Sequence, residues 1–170
     1  MPNSIQTQRV LFVCLGNICR SPTAHGIFQH KVTQAGLQNE IIVDSCGTGD
    51  WHIDHAPDPR TIECATKYGY DLSTLRARKL LASDFIDFDY ILAMDKQNLR
   101  DAESICPDHF NGELTLFLDV LAESTPQDTD APTIREVPDP YYGGADGFDK
   151  VIQLCEKASD AWLNRLRANR

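Results

Sequence analysis

Short apolar or β-branched runs alternate with stretches of helical periodicity along the whole chain, the pattern of βαβ units on a parallel sheet. Arg9 to Val13 (RVLFV) reads as a buried strand. A helix follows, with Ser21 placed to cap it, Pro22 in its first turn, Ala24, Ile27, Phe28, Val32 and Ala35 on one face, and Gly36 at its end. The second strand falls near Ile41-Ile42-Val43. Asp58-Pro59 opens a second helix through Ile62, Ala65 and Tyr68, closed by Gly69. Tyr90 to Met94 (YILAM) is the third strand, Asp95 caps a helix running to about Cys106, and Leu114 to Leu118 (LTLFL) is the fourth. In the last helix a stripe of Phe148, Val151, Ile152, Cys155, Trp162 and Leu166 has helical spacing, which places Cys155 and Trp162 in the core. A Pro/Asp/Thr-rich stretch from about Glu123 to Gly147 precedes that helix, and a loop of such length in a compact domain is more often functional than filler. With no repeat and no linker, residues 1–170 read as one domain.

Composition narrows the class. A chain of 170 residues, 42% hydrophobic and 24% charged, buries roughly 70% of its unfolded surface and needs neither disulfides nor a structural metal. Its six cysteines, at 14, 19, 46, 64, 106 and 155, form no CxxC pair and follow no apolar signal segment, which points to the reducing cytoplasm. Sixteen Lys+Arg against 25 Asp+Glu leave a net charge of −9, the wrong sign for a nucleic-acid or anionic-membrane binder. No apolar run approaches the ~20 residues that cross a bilayer. Arg165, Arg167 and Arg170 suit the negative end of a terminal helix.

The candidate chemistry sits where the first strand ends, in Val13-Cys14-Leu15-Gly16-Asn17-Ile18-Cys19-Arg20-Ser21-Pro22, a C-x5-R-S sequence. The spacing alone is weak; its context is not. The cysteine leaves a buried strand, Gly16 and Asn17 tolerate left-handed backbone angles, and a helix begins at once. Successive N–H groups and the positive end of the helix dipole then converge on one point, an anion site of phosphate size. The planar fork of Arg20 takes two phosphate oxygens. The same field favours the thiolate of Cys14, since cysteines at helix N-termini fall from about 8.5 to roughly 3.5–7.5, and Ser21 adds a hydrogen bond. The expected product is a nucleophile under an oxyanion-binding bowl, set for in-line attack on phosphorus. The missing part is a proton for the leaving oxygen. Asp139, between two prolines in Pro138-Asp139-Pro140-Tyr141-Tyr142, can supply it from a restricted backbone.

V-C-L-G-N-I-C-R-S-P near the start, with D-P-Y-Y near the end, resembles the low-molecular-weight protein tyrosine phosphatases over nearly the whole chain. Ser45-Cys46-Gly47-Thr48, Trp51-His52, Asp71-Leu72-Ser73, Arg76-Ala77-Arg78 and Ala93-Met94-Asp95 add to the likeness. The resemblance implies an α/β, flavodoxin-like sandwich with four parallel strands in order 2-1-3-4. It also implies Cys14 as nucleophile, Arg20 as phosphate clamp, Asp139 as general acid and base, and neither metal nor cofactor. Gly16, Ile18 and Cys19 would complete the phosphate loop, Asn17 would hold its shape and Ser21 would support the thiolate. Leu15, Trp51, Tyr141 and Tyr142 would wall the cleft. Without the family, Trp51 reads as a core residue. The substrates implied are phosphotyrosine-containing proteins, met by a cytoplasmic monomer or weakly self-associating chain. Ile18 stands where a threonine is typical of similar phosphatases specific for phosphoarginine, and an apolar residue suits phosphotyrosine better.

Some features depart from the pattern or leave alternatives. The family often has a histidine before the R-A-R segment, bonding the loop asparagine; Leu75 stands there, so Asn17 must be supported differently or less well. Asp50, Asp54 and Asp58 are either a solvated acidic loop or a preference for basic residues beside the phosphotyrosine. Cys19 either packs under the loop or forms a protective disulfide with Cys14. His52, Asp54 and His55 read as surface polar groups rather than metal ligands. The rivals are an arsenate reductase of the same fold, which needs relay cysteines that the stretch from Ala65 to Leu92 lacks, a non-catalytic phosphotyrosine-binding module, and a purely redox role for Cys14 and Cys19.

Overall fold

Four parallel strands pair in the order β2-β1-β3-β4: β1 (Gln8–Cys14), β2 (Ile41–Gly47), β3 (Tyr90–Ala93) and β4 (Glu113–Leu116). The computed structural model describes residues 4–124 and 134–169. The helices are α1 (Arg20–Gln34), α2 (Pro59–Lys67), α3 (Asp84–Asp87), α4 (Lys96–Glu103), α5 (Asp119–Ser124) and α6 (Asp146–Ala168). β1 and β3 are the interior strands, and both are apolar on both sides, Ile91 and Leu92 of β3 being fully buried on opposite faces. Val10, Phe12 and Cys14 pack with residues of α1, α2 and α6, while Leu11 and Val13 pack with Leu80, Phe85 and Ala102 on the opposite face. Phe12 meets Phe28 and Phe117 edge-to-face, at 5.7 and 5.0 Å. Cys155 and Trp162 lie in the core as their spacing predicts, and Trp162 Nε1 donates to the Phe117 carbonyl at 2.9 Å. Near its C-terminal end α6 carries Arg165, ion-paired with Glu113 at 2.6 Å, and Arg167; Arg170 lies outside the described residues.

The structure corrects the expected boundaries in four places. Ser21 does not cap α1: the helix begins at Arg20, Cys19 precedes it without a side-chain cap bond, and the Ser21 hydroxyl turns toward Cys14 instead. β2 extends past Val43 to Gly47, through Asp44, which bonds Arg78, and Ser45, which bonds Asn17 in the loop after β1. β4 stops at Leu116, so Phe117 and Leu118 are buried beyond the strand. The Pro/Asp/Thr-rich stretch begins with the end of α5; residues 125–133 lie outside the described residues, and residues 134–145 run to α6.

The chain leaves β1 for β2 on one side and reaches β3 on the other, so the crevice beyond the carboxyl end of β1 lies at the reversal of strand order, the usual ligand position in open parallel sheets. Cys14 is the last residue of β1.

Gly26 sets how closely α1 packs. A Cβ there would stand 2.1 Å from Leu72 Cδ2, and Leu72 is fully buried. Although alanine is the better helix former by about 1 kcal/mol, overpacking against a side chain with nowhere to go costs roughly 1–3 kcal/mol. Gly26→Ala is therefore expected to lower stability in urea unfolding; a rise in the midpoint at constant slope would show that Leu72 has room to move.

Candidate active site

The loop after β1 is held from outside by its carbonyls. Those of Cys14, Leu15 and Ile18 accept from the N–H groups of Thr48, Gly49 and Asp58, each at 2.9 Å, and that of Cys19 accepts from the Thr23 N–H and hydroxyl. In a trans peptide the N–H points opposite the C=O, so the amides of Leu15, Gly16, Cys19 and Arg20 face away from those partners. Asn17 makes the bend with φ +55°, a left-handed conformation that asparagine tolerates better than most residues. Gly16, expected to share that role, is not in the left-handed region; its lack of a side chain instead leaves space beside the His52 ring.

Asn17 is 2% exposed and fully bonded. Its Nδ2 donates to Ser21 Oγ at 2.7 Å and Ser45 Oγ at 3.1 Å, and its Oδ1 accepts from the Arg78 N–H at 3.0 Å. The amide is thus supported differently from the pattern in which a histidine precedes the R-A-R segment, and Leu75 simply packs against the core. Ser21 Oγ lies 3.0 Å from Cys14 Sγ, which also accepts from the Asn17 N–H at 3.3 Å. Two groups capable of donating to the sulfur are therefore fixed before any ligand arrives.

Arg20, 3% exposed, stands at the other side of the cradle. Its Nη1 donates to Asp95 at 2.6 Å and to the Val137 carbonyl at 3.1 Å, while Nη2 comes within 3.7 Å of Asp139. Burial opposes the charge, but Cys14, Asp95 and Asp139 more than offset it, and the guanidinium pKa lies above its ordinary value. Asp95 does two jobs: one oxygen caps α4 at Asn98 N–H, as its sequence position predicts, and the other holds Arg20, which its position does not reveal. The Val137 N–H donates to the Met94 carbonyl at 2.8 Å, so the segment carrying Asp139 is tied to the end of β3. Asp139 accepts from the Tyr141 N–H at 3.0 Å.

These groups line a cleft of about 440 Å³ with Cys14, Leu15, Gly16, Ile18, Cys19 and Arg20 at its base and Trp51, His52, Asp139, Tyr141 and Tyr142 around it. Asn17 and Ser21 lie beneath it rather than in its wall. Trp51, 66% exposed, is a rim residue, not a core one. Arg60 stacks on the Tyr141 and Phe148 rings at 5.3 and 5.0 Å and is itself gripped by Asp58, which caps α2. Asp58 is therefore engaged, its carboxyl held below the ordinary range by its bonds to Arg60, while Asp50 and Asp54 are exposed away from the cleft lining. His52 was legible only as a surface polar group; the structure brings it into the wall. Among the described residues no group of three or more His, Cys, Asp or Glu side chains is placed to hold a metal ion. An apolar slot over an anion cradle, with a sulfur at its floor and a carboxyl at its rim, can hold an aryl phosphate for displacement at phosphorus.

Comparison with known proteins agrees with this geometry. A family model described as low molecular weight phosphotyrosine protein phosphatase matches residues 9–170. A Schizosaccharomyces pombe protein of that name is 47% identical over 150 residues, covering 87% of this chain and 90% of the relative. A protein tyrosine phosphatase from Entamoeba histolytica superposes with a TM-score of 0.85 at 34% identity, covering 96% of this chain and 99% of the other. A structure described as DARP, drosophila arginine phosphatase, gives 0.80 at 29% identity over 92% and 96% of the two chains.

Gly47 is a residue the motif does not flag. A Cβ there would meet the Leu15 carbonyl at 2.7 Å and the Asn17 nitrogen at 3.1 Å, both backbone atoms of the cradle. Gly47→Ala is expected to displace the loop and weaken binding of inorganic phosphate by about tenfold or more, with far-ultraviolet circular dichroism unchanged. Unaltered phosphate affinity by calorimetry would show that β2 does not set the loop's position.

Proposed function

The chain belongs to the low molecular weight phosphotyrosine protein phosphatase family, and from that premise we propose that residues 1–170 act as one domain hydrolysing phosphotyrosine monoesters through a phosphocysteine on Cys14. In the first step the Cys14 thiolate attacks phosphorus in line with the ester oxygen. The S–P bond forms, the P–O bond to the tyrosine breaks, and Asp139 gives its proton to the departing phenolate oxygen. In the second step the Asp139 carboxylate takes a proton from water, whose oxygen attacks phosphorus; the S–P bond breaks, orthophosphate leaves, and the thiolate is restored.

The observation that carries this reading is the placing of three groups around one cleft: Cys14 Sγ within 3.0 Å of the Ser21 hydroxyl, Arg20 buried beside it, and Asp139 3.7 Å from Arg20. At 3.7 Å the Asp139 contact is longer than a hydrogen bond, so a phosphoryl group can take Nη2 with little to displace. Arg20 and the loop amides supply the positive field at the equatorial oxygens, the term that dominates such reactions, and no metal or cofactor has a task in either step. Trp51, Tyr141 and Tyr142 offer aromatic faces to a phenyl ring, and Leu15 and Ile18 give the slot apolar floor and wall. That lining favours phosphotyrosine over phosphoarginine, whose guanidinium would need a polar partner where Ile18 stands. The substrates are phosphotyrosine-containing proteins of the cytoplasm, and the chain acts as a monomer or a weakly associating one. An arsenate reductase is less consistent, because Cys46, Cys64 and Cys155 are packed in the core rather than poised for a relay. A pure binding module would have no use for both the thiol and the acid.

Cys19 completes the proposal as a guard. Burial pushes its thiol up to about 12, so it stays protonated and does not compete as a nucleophile. Peroxide converts the Cys14 thiolate to a sulfenic acid, and condensation with the Cys19 thiol forms the disulfide with loss of water, before further oxidation.

Two measurements check these assignments. Purified protein in EDTA is expected to hydrolyse phosphotyrosine faster than phosphoarginine or phosphoserine, with Cys14→Ser lowering kcat by more than about 1,000-fold. Asp139→Ala should slow phosphotyrosine by about 100-fold and esters with strongly acidic leaving groups far less; an active Cys14→Ser protein, or equal losses across leaving groups, refutes the respective role. Separately, peroxide inactivation should reverse with dithiothreitol in the wild type and become permanent in Cys19→Ser, and equal recovery of the two would remove the guard.

A further inference from the structure

We propose that His25 is a positioning residue for the reaction, orienting the Ser45 hydroxyl and, through Asn17 and Ser21, the hydrogen bond that reaches Cys14. The inference rests on the phosphatase reading of the cleft, and one chain of hydrogen bonds carries it. Cys14 Sγ lies 3.0 Å from Ser21 Oγ, Ser21 Oγ accepts from Asn17 Nδ2 at 2.7 Å, and the second hydrogen of that amide goes to Ser45 Oγ at 3.1 Å. Ser45 is buried, 4% exposed, and its own hydrogen needs an acceptor. His25 Nδ1, 3.0 Å away on α1, is that acceptor.

The direction of every bond then follows. The Arg78 N–H on Asn17 Oδ1 decides which end of the amide is NH₂. Asn17 donates to Ser45, and His25 Nδ1 is the one acceptor that the contacts of the Ser45 hydroxyl offer its hydrogen; the ring is then neutral with its own hydrogen on Nε2. Two charged groups act on the ring, Asp44 from β2 and Arg78 from the segment after α2. Burial lowers the pKa of His25, Arg78 lowers it further, and Asp44 opposes both, which leaves the ring neutral at neutral pH. With Ser45 committed to His25, both Asn17 hydrogens have fixed destinations. Ser21, receiving one of them, has a single hydrogen and two acceptors in reach, the Cys14 sulfur at 3.0 Å and the Cys46 carbonyl at 3.2 Å; a thiolate is the stronger of the two and takes it.

If the acceptor is removed, the Ser45 hydroxyl must turn back on Asn17 or remain unpaired, and either disfavours the arranged state. The consequence reaches Cys14 two residues further along the network, not through the fold as a whole.

The test is the pH dependence of Cys14 alkylation by iodoacetate, read together with kcat and KM for p-nitrophenyl phosphate. His25→Leu and Ser45→Ala should each move the alkylation profile to higher pH and lower kcat about three- to tenfold, with a smaller change in KM. The double variant should be no worse than either single one, because both remove the same link. His25→Asn, whose Oδ1 replaces Nδ1 as acceptor, should stay within about twofold of the wild type. Wild-type alkylation profiles in both His25→Leu and Ser45→Ala, or additive losses in the double variant, would overturn the role; a merely structural histidine would shift unfolding without moving the profile. Wild-type protein inert toward phosphotyrosine would instead overturn the functional reading, and the alkylation profiles would still decide this one.

Discussion

A left-handed backbone angle at Asn17 is the constraint from which the rest of the site follows. Such an angle costs an L-residue roughly 1–2 kcal/mol, and here Arg78, Ser45 and Ser21 secure it with three hydrogen bonds to one buried side chain. The bend turns the carbonyls of Cys14, Leu15 and Ile18 outward onto Thr48, Gly49 and Asp58. It thereby points the amides the other way and brings the Asn17 N–H to the Cys14 sulfur. A cradle of this kind is built before it is filled. Its donors need no reorganisation when charge develops on a phosphoryl group, which is the condition under which electrostatic stabilisation is strongest.

Arg20 carries a second constraint, because a guanidinium 3% exposed must be paired on every side that a ligand does not occupy. Asp95 and the Val137 carbonyl share one nitrogen, and Asp139 stands off the other. Arg20 is thus joined both to the helix after β3 and to the segment that carries Asp139. Asp95 is kept in place by capping α4, so an ordinary helix start orients the anion-binding group. Around this charged floor the aromatic rim is more exposed, with Tyr141 steadied by Arg60 and Trp51 largely in solvent. Rigid chemistry below and adaptable recognition above is a reasonable division for an enzyme that must accept a phosphorylated side chain from a protein surface.

Much of this was legible in particular residues. The run Arg9 to Val13 announced a strand covered on both sides, and Gly36 and Gly69 do take left-handed angles at the ends of their helices. Cys14, Arg20 and Asp139 stood out by residue type and by the strand, helix or prolines beside them, and the fold gathers them in one cleft. The Ser21 cap was misread because Ser-Pro is also a common helix start; nothing local shows that the hydroxyl has a better partner seven residues earlier. Neither the cap read at Asp95 nor the likeness of the stretches holding Gly47, His52 and Arg78 announced the contact each makes in the site, and His25 carried no signal. Each matters through an atom more than 25 positions away or, for His25, 20 away, and neither periodicity nor spacing reports such pairs.

What the chain's own order determined is the sequence of elements, the two-sided burial of β1 and the presence of Cys14, Arg20 and Asp139 beside a strand, a helix and two prolines, since those depend on local pattern and on residue chemistry. What only the tertiary structure decided is orientation. Which Asn17 hydrogen meets which hydroxyl, which oxygen of Asp95 meets Arg20, and how near Gly47 lets β2 approach the loop are set when distant segments pack against one another. Hydrogen bonds depend on distance and direction within a few tenths of an ångström, and those quantities come into being only in three dimensions.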